Sequence, residues 1–320
     1  MFTCCCHPAL PLPAQVALIL RTLAGLGTAE IARAFLVPEA TMSQRLVRAK
    51  RRIRQAGIPF RVPPPHLLPE RLQAVLGVLY LLFNEGYSGQ SAWDESEGRS
   101  GVGPRGPGEE AIRLARLLAG LLPGEPETGG LLALMLLHHA RRPARTSGDG
   151  TLVPLEEQDR TLWNRAEIEE GLLVLETALA RRAAGPYQVQ AAIAACHATA
   201  AEPAATDWPQ IAVLYGRLAT LLPSPVVELN RAVAVAVAVA MAVAMADGPA
   251  AGLALVDRLA ATGALGDYHL LHATRADLLR RLQHRDEAAT AYRRALGLAP
   301  AEAERRYLAR RLAEVTRADA

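Results

Sequence analysis

The chain has 320 residues, 51% apolar and 21% charged, with a mean hydropathy of +0.11 and only 4% aromatic side chains. This composition excludes a disordered, collagen-like or mucin-like chain and fits a globular protein of one to three domains. The net charge of +3 conceals an asymmetry: residues 1–62 carry nine basic side chains against two acidic ones, a local +7, whereas the remainder holds 26 against 30, or −4. A compact basic end on a mildly acidic body predicts a polyanion-binding module joined to something else.

The four cysteines, Cys4, Cys5, Cys6 and Cys196, are too few and too clustered for a disulfide framework, which predicts a reducing, cytoplasmic setting. The N-terminus lacks the basic start of a secretory signal and carries Pro8, Pro11 and Pro13 ahead of its apolar run. The longest uncharged tract of interest, Ala232 to Ala246, is short of the ~20 strongly apolar residues of a bilayer span, so no membrane segment is expected.

Taken in chain order, residues 14–57 are helix-permissive and basic. Within them Thr28 suits an N-cap, Ile31, Ala32 and Phe35 share one side of a short helix, Val37 fills a turn, and Pro38 suits the first position of a second helix. In that second helix Met42, Leu46, Ala49 and Ile53 recur at helical spacing as a buried stripe. Thr41, Gln44, Arg48 and Arg51 then project from the opposite side, flanked by Arg45 and Arg52, with Ser43 and Lys50 also on the solvent side. A helix-turn-helix needs this division, since the N-terminal part of its second helix reaches base edges while later cations neutralise phosphates. Thr41, Ser43, Gln44, Arg45, Arg48, Lys50, Arg51 and Arg52 are therefore the expected DNA-binding residues.

Prolines 59, 63, 64, 65 and 69 interrupt the helical pattern and place a domain boundary there, giving a DNA-binding domain at 1–62, a stiff linker at 63–69 and a second part at 70–320. A loop is expected at 88–108, rich in glycine and serine, and another at 141–154. Everything else shows 3.6-residue periodicity without useful strand alternation, so the fold class is all-α. Ala288, Tyr292, Ala295 and Pro300 have the +4, +3, +5 spacing of the second helix of a tetratricopeptide hairpin, as do Ile211, Tyr215, Leu218 and Pro223, and more weakly Ala111, Ala115, Leu118 and Pro123. The alternating alanine–valine tract at 233–244 is read as an expanded helix of one repeat, and Glu302 to Ala313 as a polar terminal cap.

The helix-turn-helix segments Thr-Ala-Glu-Ile-Ala (28–32) and Thr-Met-Ser-Gln-Arg-Leu-Val-Arg-Ala-Lys (41–50) resemble region 4 of sigma-70 type factors of the extracytoplasmic-function class. The resemblance continues through Phe-Asn-Glu-Gly-Tyr (83–87), the segments at 138–145 and 157–165, and Glu-Leu-Asn-Arg-Ala-Val (228–233), which look like sigma factors bearing a C-terminal tetratricopeptide-like extension. It implies recognition of the promoter −35 element, core RNA polymerase as partner, and an extension that regulates initiation. Family members carry a region 2 ahead of region 4, and here about a dozen residues precede it, so an N-terminally truncated factor is expected. Ser43 stands where the family often has a basic residue. The charge asymmetry further predicts an intramolecular contact between the extension and the DNA-binding domain. A helical-repeat interaction scaffold, or a region-4-only regulator, is the alternative reading.

No nucleotide-binding loop, nucleophile elbow or paired-carboxylate motif is present, and the sequence predicts a protein that is not an enzyme and needs no cofactor and no metal. Cys4 to His7 are too close together to converge on one tetrahedral ion, and His138/His139 and His269/His272 lack neighbouring carboxylates at ligand spacing, so packed or solvated histidines are expected. The polar cluster Glu156, Glu157, Asp159, Arg160, Trp163, Asn164 and Arg165 is expected to form a salt-bridged surface, with a binding site for a ligand or partner as the alternative.

Overall fold

In the computed structural model, the described residues are 27–34, 37–56, 68–88, 106–242 and 248–317, with Leu10, Pro11, Ala14, Ala17, Leu18 and Arg21 upstream. Their regular elements are helices, and the nearest approach to sheet structure among them is one antiparallel bridge between Thr146 and Leu152, in the turns and coil that occupy most of the loop expected at 141–154. The chain divides into two compact units, Met1–Gly124 and Glu125–Ala320. The charge and proline pattern instead divides the chain near residues 62–70. Composition marks where the chain changes character, whereas the units follow packing, so a helical hairpin at 68–121 groups with the basic end.

The first unit contains α1 (Thr28–Ala34), α2 (Glu39–Gln55), α3 (Leu68–Ser88) and α4 (Pro107–Leu121). Helix α1 packs on α2, and α3 packs on α4. Val75, Leu76, Val78, Leu79, Leu82 and Phe83 of α3, and Ala111, Ile112, Leu114, Ala115 and Leu118 of α4, are buried, as apolar residues recurring on one helical face require. The expected loop at 88–108 and the proline linker at 63–69 fall, apart from their margins, outside the described residues.

The second unit is a succession of helical hairpins: α5 (Pro126–His139), α6 (Arg165–Leu179), α7 (Pro186–Thr199), α8 (Trp208–Leu221), α9 (Pro225–Ala242), α10 (Gly248–Ala261), α11 (His269–Arg281), α12 (Arg285–Leu298) and α13 (Glu302–Arg317). From α5 onward each helix packs on the next, and α5 also packs on α7. The core is accordingly a chain of clusters handed from hairpin to hairpin. Val189, Ile193, Ile211, Leu218 and Val227 form one, Leu229, Ala232, Val256, Leu271 and Leu278 the next, and Ala276, Leu279, Ala288, Tyr292, Ala295 and Leu308 the last. This repeat-like packing puts Ala288, Tyr292 and Ala295 at 0–1% exposure, as their spacing predicts. The alanine–valine tract is helical as far as residue 242, where alanine's propensity outweighs the alternating pattern.

Local chemistry sets the helix ends. Asn164 accepts a hydrogen bond from the Glu167 amide and caps α6, Asp207 accepts one from the Gln210 amide and caps α8, and Pro126, Pro186 and Pro209 sit in first turns where a missing amide is harmless. The α11–α12 turn is a Schellman motif: the His284 amide donates to the Leu279 carbonyl at 2.9 Å and the Gln283 amide to the Arg280 carbonyl at 3.0 Å. Gln283 therefore takes a left-handed φ of 63°, a conformation glycine adopts more readily. Helices α5 and α7 approach so closely at Gly130 that an added Cβ would lie 2.7 Å from the Gln188 backbone nitrogen. Beside this contact the Glu127 carboxylate accepts from the Tyr187 and Gln188 amides, capping α7 from another helix.

The polar cluster at 156–165 forms a strap between distant helices; Glu156 and Glu157 make the expected salt-bridged surface, whereas Arg160 and Trp163 are buried. Glu157 pairs with Arg310 and Arg311 of α13, Glu156 pairs with Arg281 of α11, and the Asp149 carbonyl accepts from Arg306. Asp159 caps the short turn at Arg160–Leu162.

Candidate nucleic-acid interface

Helices α1 and α2 form the expected helix-turn-helix, with its caps displaced by one residue. The Gly27 carbonyl accepts from Ile31 at 3.1 Å, so Thr28 is the first helical residue and not the cap. Pro38, with φ −57° and ψ 144°, is itself the N-cap of α2, and its carbonyl accepts from Met42. Between the helices the Val37 amide donates to the Ala32 carbonyl at 3.0 Å, which fixes the turn. Ile31, Ala32, Met42, Leu46 and Ala49 are buried, and Ile53 is half-buried, so the predicted stripe is the one that packs. Phe35 lies outside the described residues.

The candidate contact residues occupy the rest of α2. Thr41, Ser43, Gln44, Arg48, Lys50, Arg51 and Arg52 are exposed, and Arg45 is half-buried. The structure adds a groove to the division that helical periodicity gives them. Thr41, Arg45, Arg48 and Arg52 form a stripe along one wall of a groove of about 430 Å³ whose other wall is Leu10, Pro11 and Ala14. By helical periodicity Gln44 and Arg51 point directly away from the core, while Ser43 and Lys50 lie on the far flank. Gln44 is tied to the cationic stripe, because its Oε1 accepts from the Arg48 guanidinium at 3.0 Å. The arrangement offers a polar amide at the outermost line of the helix with cations on both sides, which suits base-edge contact flanked by phosphate contact. The groove escaped the sequence reading because no spacing rule links Leu10 to Arg45.

A match to the model of sigma-70 region 4 covers residues 5–53, the span that holds this helix-turn-helix. An uncharacterized protein of Rhizobium meliloti (strain 1021) is 47% identical over 308 residues, which is 95% of this chain and 68% of the relative. The chain belongs to that protein's family and carries a sigma-70 region 4. A DNA-binding role of sigma-factor type follows from region 4, with RNA polymerase as the general partner of such modules. Residues 71–179 match a family of unknown function, DUF6596. No solved structure matches the chain.

Elsewhere the structure brings together residues that sequence spacing kept apart. His139 Nδ1 lies 2.9 Å from Glu167, and His269 lies 3.4 Å from Glu304, so both histidines do have carboxylate neighbours, supplied by other helices. Among the described residues, however, no group of three or more histidine, cysteine or carboxylate side chains converges as a metal site would require. Burial and the charge of Arg141 push His138 well below the usual histidine range, so it is neutral at pH 7. Cys4, Cys5, Cys6 and His7 lie outside the described residues. Among the described residues no helix is long and apolar enough to cross a membrane.

Proposed function

We propose that the chain is a promoter-recognition factor of the extracytoplasmic-function class, reading the −35 element through α2 while core RNA polymerase holds it. The hairpins of the second unit act as a tetratricopeptide-like extension that regulates initiation. The factor works in the cytoplasm, has no enzymatic activity of its own and requires no cofactor. The observation that carries this reading is the coincidence of the region 4 match at 5–53 with a helix whose solvent side bears Arg45, Arg48, Lys50, Arg51 and Arg52.

The test uses the full chain and duplexes selected from a random pool, with binding followed by anisotropy over a range of salt. Arg48→Ala and Arg51→Ala should weaken binding to every duplex and lower the slope of log K against log salt by about one unit per lost phosphate contact. Gln44→Ala should instead change the selected sequence, at a cost of about 1–3 kcal/mol in discrimination. Unchanged slopes and an unchanged selected sequence in all three variants would remove α2 from the interface and favour a scaffold that docks to an acidic protein.

A further inference from the structure

The second unit holds a half-open cavity of about 580 Å³, within the range of small-molecule sites. Its walls come from the strap at Leu155 and Glu156, from α7, α8 and the turn between them, from α9 and α10 at Val233 and Pro249, and from helices α11, α12 and α13, and its lining is mainly apolar, with Trp208, Tyr292 and Tyr307 contributing rings. Three of its charged groups satisfy one another: Arg281 donates to Asp277 at 2.7 Å and lies 3.4 Å from Glu156.

The fourth does not. Arg160 lines the same cavity, is only 7% exposed, and has no ion pair with any carboxylate among the described residues. Its guanidinium donates to the His197 carbonyl at 2.8 Å and to the Ala200 carbonyl, reaches the Thr206 hydroxyl at 3.5 Å, and lies 4.9 Å from the Trp163 ring centre. All of these are neutral groups, and Nε remains buried without a partner. The charges acting on Arg160 from nearby are those of Arg141 and Arg165, both positive. His197, kept neutral by burial and the neighbouring arginines, brings no charge of either sign. A buried charge left uncompensated in this way is costly unless an opposite charge reaches it.

We infer that this cavity binds a small carboxylate with an apolar body, the acid group meeting Arg160 and the body lying against Trp208, Tyr292 and Tyr307. Charge-assisted hydrogen bonds to a guanidinium orient a carboxylate, and the aromatic walls accept an aryl or short acyl group. The site is independent of the promoter reading, because ligand binding is measured without DNA.

Calorimetric titration of the full chain at neutral pH, with octanoate and naphthylacetate as probes and octanol and octylamine as controls, tests it. Saturable one-to-one binding of at least one carboxylate, at least tenfold tighter than either control, is expected. Ala204→Trp, which enlarges an exposed alanine on the cavity wall, should abolish that binding without disturbing the core. Arg160→Gln should weaken the carboxylate by about 10- to 100-fold and leave octanol unchanged. If Arg160→Gln does not fold, the wild-type comparison and Ala204→Trp still decide. Absence of saturable binding by both carboxylates, equal binding of octanol or octylamine, or undiminished binding by Ala204→Trp would each overturn the assignment.

Discussion

Replacing Gly130 by alanine probes the close approach of α5 and α7 in the second unit. The added Cβ would lie 2.6 Å from Gln188 Cγ, 2.7 Å from its amide nitrogen and 3.0 Å from its Cα. Ordinary carbon contacts are about 3.5–4.0 Å, so α5 and α7 must separate by about 1 Å, and two of the three obstructing atoms are backbone that cannot rotate away. Such overpacking costs roughly 1–3 kcal/mol, against which alanine recovers up to about 1 kcal/mol of helix propensity. Displacing Gln188 also disturbs its bonds to Glu127 and to the Ala183 carbonyl, which raises the expected net loss to about 2 kcal/mol. For a unit of this size that is a fall of about 4–8 °C in Tm, read by circular dichroism on the full chain. Gly216 in α8 is the control: nothing lies within 4 Å of the point an added Cβ would occupy, so Gly216→Ala should stabilise by about 0.5–1 kcal/mol. An unchanged or raised Tm for Gly130→Ala would show that the contact is not tight and that the register of α5 on α7 is wrong.

Three further outcomes are expected. Gln283→Gly should stabilise the second unit by about 1 kcal/mol in urea unfolding, because the left-handed position of the Schellman turn then carries no Cβ; a loss of stability would refute the turn assignment. Glu127→Ala should destabilise by about 1–3 kcal/mol, since it leaves the first-turn amides of α7 without their acceptor, and Glu127→Gln should restore part of the loss in the same assay. His197 is held at a pKa of about 4 by burial and by Arg141 and Arg160. With its folded value below the unfolded one, its contribution is complete above about pH 6.5 and is lost as pH falls toward 4, by an amount on the order of 1–3 kcal/mol. His197→Gln should flatten stability between pH 7 and pH 5 relative to the parent, and parallel curves would contradict the shift.

Local rules carried most of the architecture. Helical periodicity identified the all-α class, the buried stripe Met42, Leu46 and Ala49, and the packed triplet Ala288, Tyr292 and Ala295, because each depends on residues three or four apart. The caps were misplaced by one residue at Thr28 and Pro38, since a proline can occupy the cap or the first helical position with the same φ. Long-range partners were not legible. His139 meets Glu167 only because α6 folds back beside α5, and Arg160 meets the carbonyls of His197 and Ala200 across about 40 positions. The cavity belongs to the same class, since its walls are drawn from the strap and from every helix from α7 to α13, whose juxtaposition no spacing encodes.

The strap ties the order of synthesis to the order of folding. A linear array of hairpins can fold progressively as it leaves the ribosome, each hairpin closing on the last. Here Glu157 waits for Arg311, 154 positions later in the chain. At ~5–20 residues per second that interval is roughly 8–30 s, during which the early hairpins exist without the helix that closes them. A nascent chain halted before α13 should therefore expose the strap to protease while the hairpins themselves are already protected. Release of the final helix would then convert a string of separately formed hairpins into one cooperative body.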